Sequence, residues 1–187
     1  MSFMYFAYGS NMLPARLQAR CSTARVIGTA TAQRFELEFS KPGKDGSGKA
    51  TLLDTRSQSS AIPGVLFEID RTELKFLDRA EGAGYGYDRV DDFSITCATT
   101  GDIITATTYL ASKTDPDLEP FDWYLALVLA GSHHNALHDD HQTRLRAVNH
   151  VVDTEESREG RIEALRALSE HGYSDHHSLL GRTVEDR

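Results

Sequence analysis

Two short segments carry residue types that could do chemistry on a small molecule. In Tyr5-Phe6-Ala7-Tyr8-Gly9-Ser10-Asn11, apolar and aromatic residues suited to a buried strand run straight into Gly-Ser-Asn. Such a turn leaves backbone N–H groups pointing outward, and Pro14 sits where the first turn of a helix begins. Together they aim unpaired amides and a positive helix end at one spot, a place for an anion. The same residues also fit a plain strand-to-helix turn with no chemistry. The second segment ends in Glu81, last residue of a helix predicted over 71–81. With Leu74 as zero and about 100° per residue, Leu77 falls at about −60° and Glu81 at about −20°, so the carboxylate shares the inward face. The negative end of the helix dipole and partial burial both favour its neutral form, which would suit a general acid and base near neutrality. The open alternative is a fraying last turn in which Glu81 reaches solvent or Arg79.

The elements that must position these groups follow from pattern. Strands are expected at about residues 4–8, 25–30, 34–39, 50–54, 63–69, 89–99 and 103–110, each bounded by Gly, Pro, Ser or Asp, with Thr100-Gly101-Asp102 as a hairpin turn. Helices are expected at about 14–20, 71–81, 121–130, 139–148 and 156–171. Asp70 with Glu73 reads as a variant capping box and Gly82 as the stop of the second helix. Hairpin-linked strands followed by clustered helices indicate an α+β fold, a small mixed barrel of six or seven strands with flanking helices. A chain of 187 residues that is 40% hydrophobic is long enough for one sizeable core and short for two, so one domain is expected. Residues 151–187 add a helix and tail packed on it or extending from it. The stretch 174–187 lacks apolar periodicity and reads as loose or docked on a neighbour.

Composition excludes several classes. A formal charge of −8 gives no overall attraction to nucleic acid or an acidic membrane surface. Two cysteines, Cys21 and Cys97, suit a reducing compartment, and no apolar stretch approaches a membrane span, so a cytoplasmic protein is expected. Three motifs mimic other sites. Residues 43–49 match the glycine and lysine spacing of a phosphate loop, but Ala50 replaces the magnesium-binding hydroxyl and a strand follows, so a hairpin loop is expected. His133, His134, His138 and His141 could supply metal ligands. With Gly131 ending one helix and Asp139 and Gln142 capping the next, His134 and His138 fall in a connecting loop and not on one helical face, so no metal is expected there, and His176 and His177 are weaker still. In 82–89, alternating glycines precede a strand, the reverse of a dinucleotide site, though Tyr87 or Arg89 could reach a ligand beside Glu81.

Phe6-Ala7-Tyr8-Gly9-Ser10-Asn11-Met12, Leu77-Asp78-Arg79-Ala80-Glu81-Gly82 and the segment 124–131 resemble three landmarks of the gamma-glutamylcyclotransferase family. Gly48-Lys49-Ala50-Thr51 and Ile62-Pro63-Gly64-Val65-Leu66-Phe67 resemble its second and third strand regions. The likeness runs in order over roughly residues 3–150 and implies a family-like domain over 1–150, a small barrel, no cofactor and a glutamate proton carrier, which maps onto Glu81. The family's substrate loop maps onto Tyr5, Phe6, Ala7, Tyr8, Gly9, Ser10 and Asn11, with the Gly9, Ser10 and Asn11 amides as donors, and Tyr87 and Tyr124 map onto tyrosines around the substrate. Ser10-Asn11 is closer to the gamma-glutamylcyclotransferases proper than to relatives with Gly-Thr-Leu or Gly-Ser-Leu. From Val151 on there is no counterpart, and a homodimer is left open. The implied partner is a small gamma-glutamyl compound, cyclised to 5-oxoproline with release of an amine. Two other readings stand beside it: a hydrolase or acyltransferase using Ser10, and a non-catalytic module that holds the same ligand.

Overall fold

The computed structural model describes residues 1–181, which form seven strands and six α-helices. Strands β1 (Ser2–Ala7), β2 (Arg25–Gln33), β5 (Ala61–Asp70), β6 (Tyr87–Cys97) and β7 (Ile103–Ala111) close into a barrel in the order β1-β5-β2-β6-β7. All neighbours are antiparallel except β1 and β7, which meet in parallel at Tyr5 and Thr107. β3 (Phe35–Pro42) and β4 (Gly48–Asp54) pair only with each other, so the barrel has five strands and not six or seven. Strand patterning marks where a strand lies but not its neighbour, and here the turn at 43–47 folds β3 and β4 into a separate ribbon. The Thr100-Gly101-Asp102 turn joins β6 to β7, with Gly101 at φ 76°.

Phe6, Phe67, Ile69 and Ile95 are among the fully buried side chains of the core. Gly64 on β5 is required by close packing: a Cβ there would lie 2.5 Å from the Ala7 carbonyl oxygen and 2.6 Å from the Phe6 ring. Backbone cannot step aside, so Gly64→Ala is expected to destabilise the fold by about 1–3 kcal/mol. A lowered midpoint in urea unfolding checks this, and an unchanged midpoint would contradict it.

α3 (Asp122–His134) is apolar all round and buried from Asp122 to Ser132, as a central helix must be. It packs on α4 (Asp139–Arg146), α5 (Glu159–Glu170) and α6 (His176–Leu179), and on the turn that follows β1. Gly131 does not end it, contrary to the sequence expectation. A Cβ at Gly131 would lie 2.7 Å from both the Leu13 amide and Met12 Cβ, so the glycine lets the β1 turn lie against a continuing helix. Asn135 closes the helix and donates to the carbonyls of Met12 (2.9 Å) and Gly131 (2.8 Å). α4 is capped by His138 and not Asp139, with Nδ1 accepting from the Asp140 amide. α6 had no sequence signal. It packs on α3, with buried His176 bonded to Asp122; the expected tail beyond Gly181 lies outside the described residues. No helix among the described residues is long and apolar enough to cross a membrane.

Candidate active site

The helix carrying the carboxylate is fixed at both ends. Asp70 caps a 3-10 turn at Arg71–Glu73 by accepting from the Thr72 amide at 2.9 Å, and α2 proper runs Leu74–Glu81. Glu73 does not complete a capping box. Its carboxylate accepts from the amide and hydroxyl of both Ser22 and Thr23 at 2.6–3.1 Å, which ties the chain leaving α1 (Pro14–Gln18) to α2. Gly82, at φ 64° and ψ 45°, ends α2 in the left-handed conformation, with its amide and that of Ala83 closing onto the Arg79 and Asp78 carbonyls. The last turn is therefore held, and Glu81 turns neither to Arg79 nor out to solvent.

Glu81 Oε1 instead accepts from Asn11 Nδ2 at 2.7 Å and from the Arg20 guanidinium at 2.9 Å. The same Arg20 nitrogen donates to Asn11 Oδ1 at 2.9 Å, and Asn11 Nδ2 also reaches the Tyr5 hydroxyl at 2.9 Å. The ion pair is mostly shielded, with 13% of the Glu81 side chain and 21% of Arg20 exposed. Both donors go to Oε1. No hydrogen bond among the described residues takes Oε2.

Glu81 forms part of the wall of a cavity of about 300 Å³, its solvent mouth included, together with Tyr5, Tyr8, Gly9, Ser10, Asn11, Ala50, Tyr87, Tyr109 and Tyr124. Ser10, Asn11 and Met12 make a 3-10 turn whose first amides have no acceptor within it, and no hydrogen bond among the described residues takes the Ser10 or Asn11 amide. Gly9 lies close to β4, since a Cβ there would stand 3.0 Å from that of Ala50, tighter than ordinary contact. Across the cavity, the Ala50 amide donates to the Tyr124 hydroxyl at 3.1 Å while the Tyr87 hydroxyl donates to the Ala50 carbonyl at 2.7 Å. Tyr8 donates to the Tyr109 carbonyl, and Tyr109 donates to Asp78 at 2.8 Å. Burial raises the pKa of all five phenols above its ordinary value, with the Glu81 charge adding to the rise for Tyr5 and Tyr8 and the Asp78 carboxylate for Tyr109. They stay protonated near neutrality, as hydrogen-bonding groups and not bases.

Of the residues singled out by sequence, Tyr5, Tyr8, Gly9, Ser10, Asn11, Glu81, Tyr87 and Tyr124 converge on this cavity. Phe6 and Ala7 do not line it: both are buried in the core, where the Phe6 ring packs on Phe93 and Tyr8. Arg89 is also directed elsewhere, pairing with Asp78 at 2.7 Å and with Asp91. Arg20, Ala50 and Tyr109 were missed. Arg20 stands beyond the end of α1 without any local mark of function, and the Glu73 clamp on Ser22 and Thr23 holds the chain just after it against α2.

The mimicking motifs resolve into structure. Residues 43–47 are the β3–β4 turn, and Lys49 pairs with Asp45 at 2.8 Å beneath the rings of Trp123 and Tyr124. His133 bonds Tyr173 at 2.8 Å, His134 packs on His171, and His138 caps α4. His141 is buried, which pulls its imidazole down to about 4. The four do not converge on one point.

Comparison with known proteins adds independent findings. The family profile described as gamma-glutamyl cyclotransferase, AIG2-like, matches residues 5–125. A human protein named gamma-glutamylcyclotransferase is 30% identical over 152 residues, 79% of either chain. Its bovine counterpart is 30% identical over 153 residues with the same coverage. A solved structure titled gamma-glutamyl cyclotransferase superposes with a TM-score of 0.79 at 26% identity, covering 89% of this chain and 99% of that one.

Proposed function

This chain belongs to the gamma-glutamylcyclotransferase family and is an enzyme of that type, and we propose that it converts a gamma-glutamyl amine or amino acid to 5-oxoproline with Glu81 as its proton carrier. One observation supports this reading above the rest: among the cavity-lining residues Glu81 is the single carboxylate, and the phenols around it are held protonated. A gamma-glutamyl compound brings its own nucleophile. Its α-amine attacks the γ-carbonyl, closes a five-membered lactam and expels the amine, so no enzyme nucleophile is required.

The protein must hold the substrate folded, take a proton from the attacking amine, stabilise the oxyanion and protonate the leaving nitrogen. Arg20 and Asn11 fix the carboxylate through Oε1, which leaves Oε2 to accept the amine's proton and return it to the departing nitrogen. That the Ser10 and Asn11 amides have no acceptor among the described residues supports a role for them in receiving the substrate carboxylate or the oxyanion. The direct test is mass-spectrometric detection of 5-oxoproline from a panel of gamma-glutamyl amino acids, gamma-glutamyl amines and glutathione. Ligand binding without 5-oxoproline from any of them would contradict the proposal.

Ser10 as a nucleophile is the reading this site supports least, since the cavity lining contains no histidine or lysine to activate it. Ser10→Ala keeps the backbone amide and is expected to retain activity within about tenfold. Loss of a true nucleophile costs several orders of magnitude. A fall of that size, measured as kcat, would return Ser10 to the centre.

A further inference from the structure

We propose that Asp122, His176 and His177 form a divalent-cation site of the zinc type that ties α6 to the start of α3. The three lie far apart in sequence, yet one ligand atom from each falls within 4.8 Å of the other two. His176 Nε2 stands 3.2 Å from Asp122 Oδ2, and His177 Nδ1 stands 3.9 Å from the same oxygen. Zinc bonds of about 2.0–2.2 Å at tetrahedral angles place neighbouring ligand atoms about 3.3–3.5 Å apart. The two measured separations, 3.2 and 3.9 Å, bracket that spacing.

The arrangement exceeds what a hydrogen bond requires. One imidazole is enough to partner the Asp122 carboxylate, whose side chain is 1% exposed, but here two ring nitrogens approach the same oxygen. The carboxylate is itself oriented, because its other oxygen accepts from the Asp153 amide at 3.1 Å, the kind of outer contact that fixes a metal ligand. Asp175 accepts from the His177 amide at 3.0 Å and sets the start of α6, which presents the two adjacent histidines with ring centroids 4.0 Å apart. Two imidazoles and one carboxylate favour zinc over magnesium or calcium. His177, with 19% of its side chain exposed, leaves a path by which the ion and a fourth, water ligand can enter. None of the three lines the Glu81 cavity, so the ion's role is to fasten α6 and not to act on substrate.

Calorimetric titration of untagged protein with zinc chloride, paired with thermal unfolding, tests the proposal. One equivalent is expected to bind and to raise the unfolding midpoint, and His177→Ala is expected to weaken binding at least about tenfold. That variant leaves the Asp122–His176 contact in place, and its metal-free midpoint is measured alongside, so that the rise on adding zinc, expected in the parent and lost in the variant, separates loss of a ligand from a change in stability. Cobalt substituted for zinc should give the visible absorption of a four-coordinate ion in the parent and lose it in His177→Ala. No binding at about 0.1 mM zinc, or equal binding in the parent and in both His176→Ala and His177→Ala, would overturn the site.

Discussion

Glu81→Gln is expected to lower kcat for 5-oxoproline formation by at least about a hundredfold, the scale of a lost general acid and base. Glutamine keeps the length and shape of the side chain and an oxygen that can accept from Asn11 and Arg20, as Oε1 does now. What it loses is the group that accepts and returns a proton. The fold should survive, because α2 is held by the Asp70 cap, the Gly82 stop and the buried Leu77, none of which the substitution touches. The check is kcat together with far-UV circular dichroism and a thermal scan. A well-folded variant within about threefold of the parent would remove Glu81 from the mechanism.

Acetylating the substrate's α-amine is expected to abolish turnover altogether. The amide nitrogen delocalises its lone pair and cannot attack the γ-carbonyl, whereas an enzyme with its own nucleophile or an activated water would still cleave the bond. The blocked compound must also be shown to bind, by competition against the free-amine substrate, so that lost chemistry is separated from lost affinity. Release of the amine from the acetylated compound at a rate near that of the free one would contradict ring closure.

The sequence made Glu81 legible because three local signals coincide there: a cap at Asp70, apolar residues at helical spacing through Leu74 and Leu77, and a glycine able to end the helix at residue 82. The β1 turn was legible for the same kind of reason, since Gly-Ser-Asn before Pro14 breaks the strand abruptly. Arg20 was not legible. The chain just after it is held against α2 by the four hydrogen bonds that Glu73 makes to Ser22 and Thr23, a contact across about fifty residues that no helical period or motif encodes. Tyr109 sits on a strand whose pattern reads the same whichever neighbour it pairs with, and β3 and β4 were assigned to the barrel for that reason. Gly131 misled because glycine near a helix end commonly stops it, whereas here the missing Cβ makes room for Met12 and Leu13. α6 had too short an apolar pattern to register, and its place is set by what His176 meets on α3.

The central claim is that the bond breaks by attack of the substrate's own amine with Glu81 moving the proton, and running the reaction in oxygen-18 water addresses it most directly. The account predicts 5-oxoproline at the earliest times with no solvent oxygen incorporated, because water takes no part in closing the lactam. Oxygen-18-labelled glutamate formed before any 5-oxoproline would contradict it and establish hydrolysis in its place.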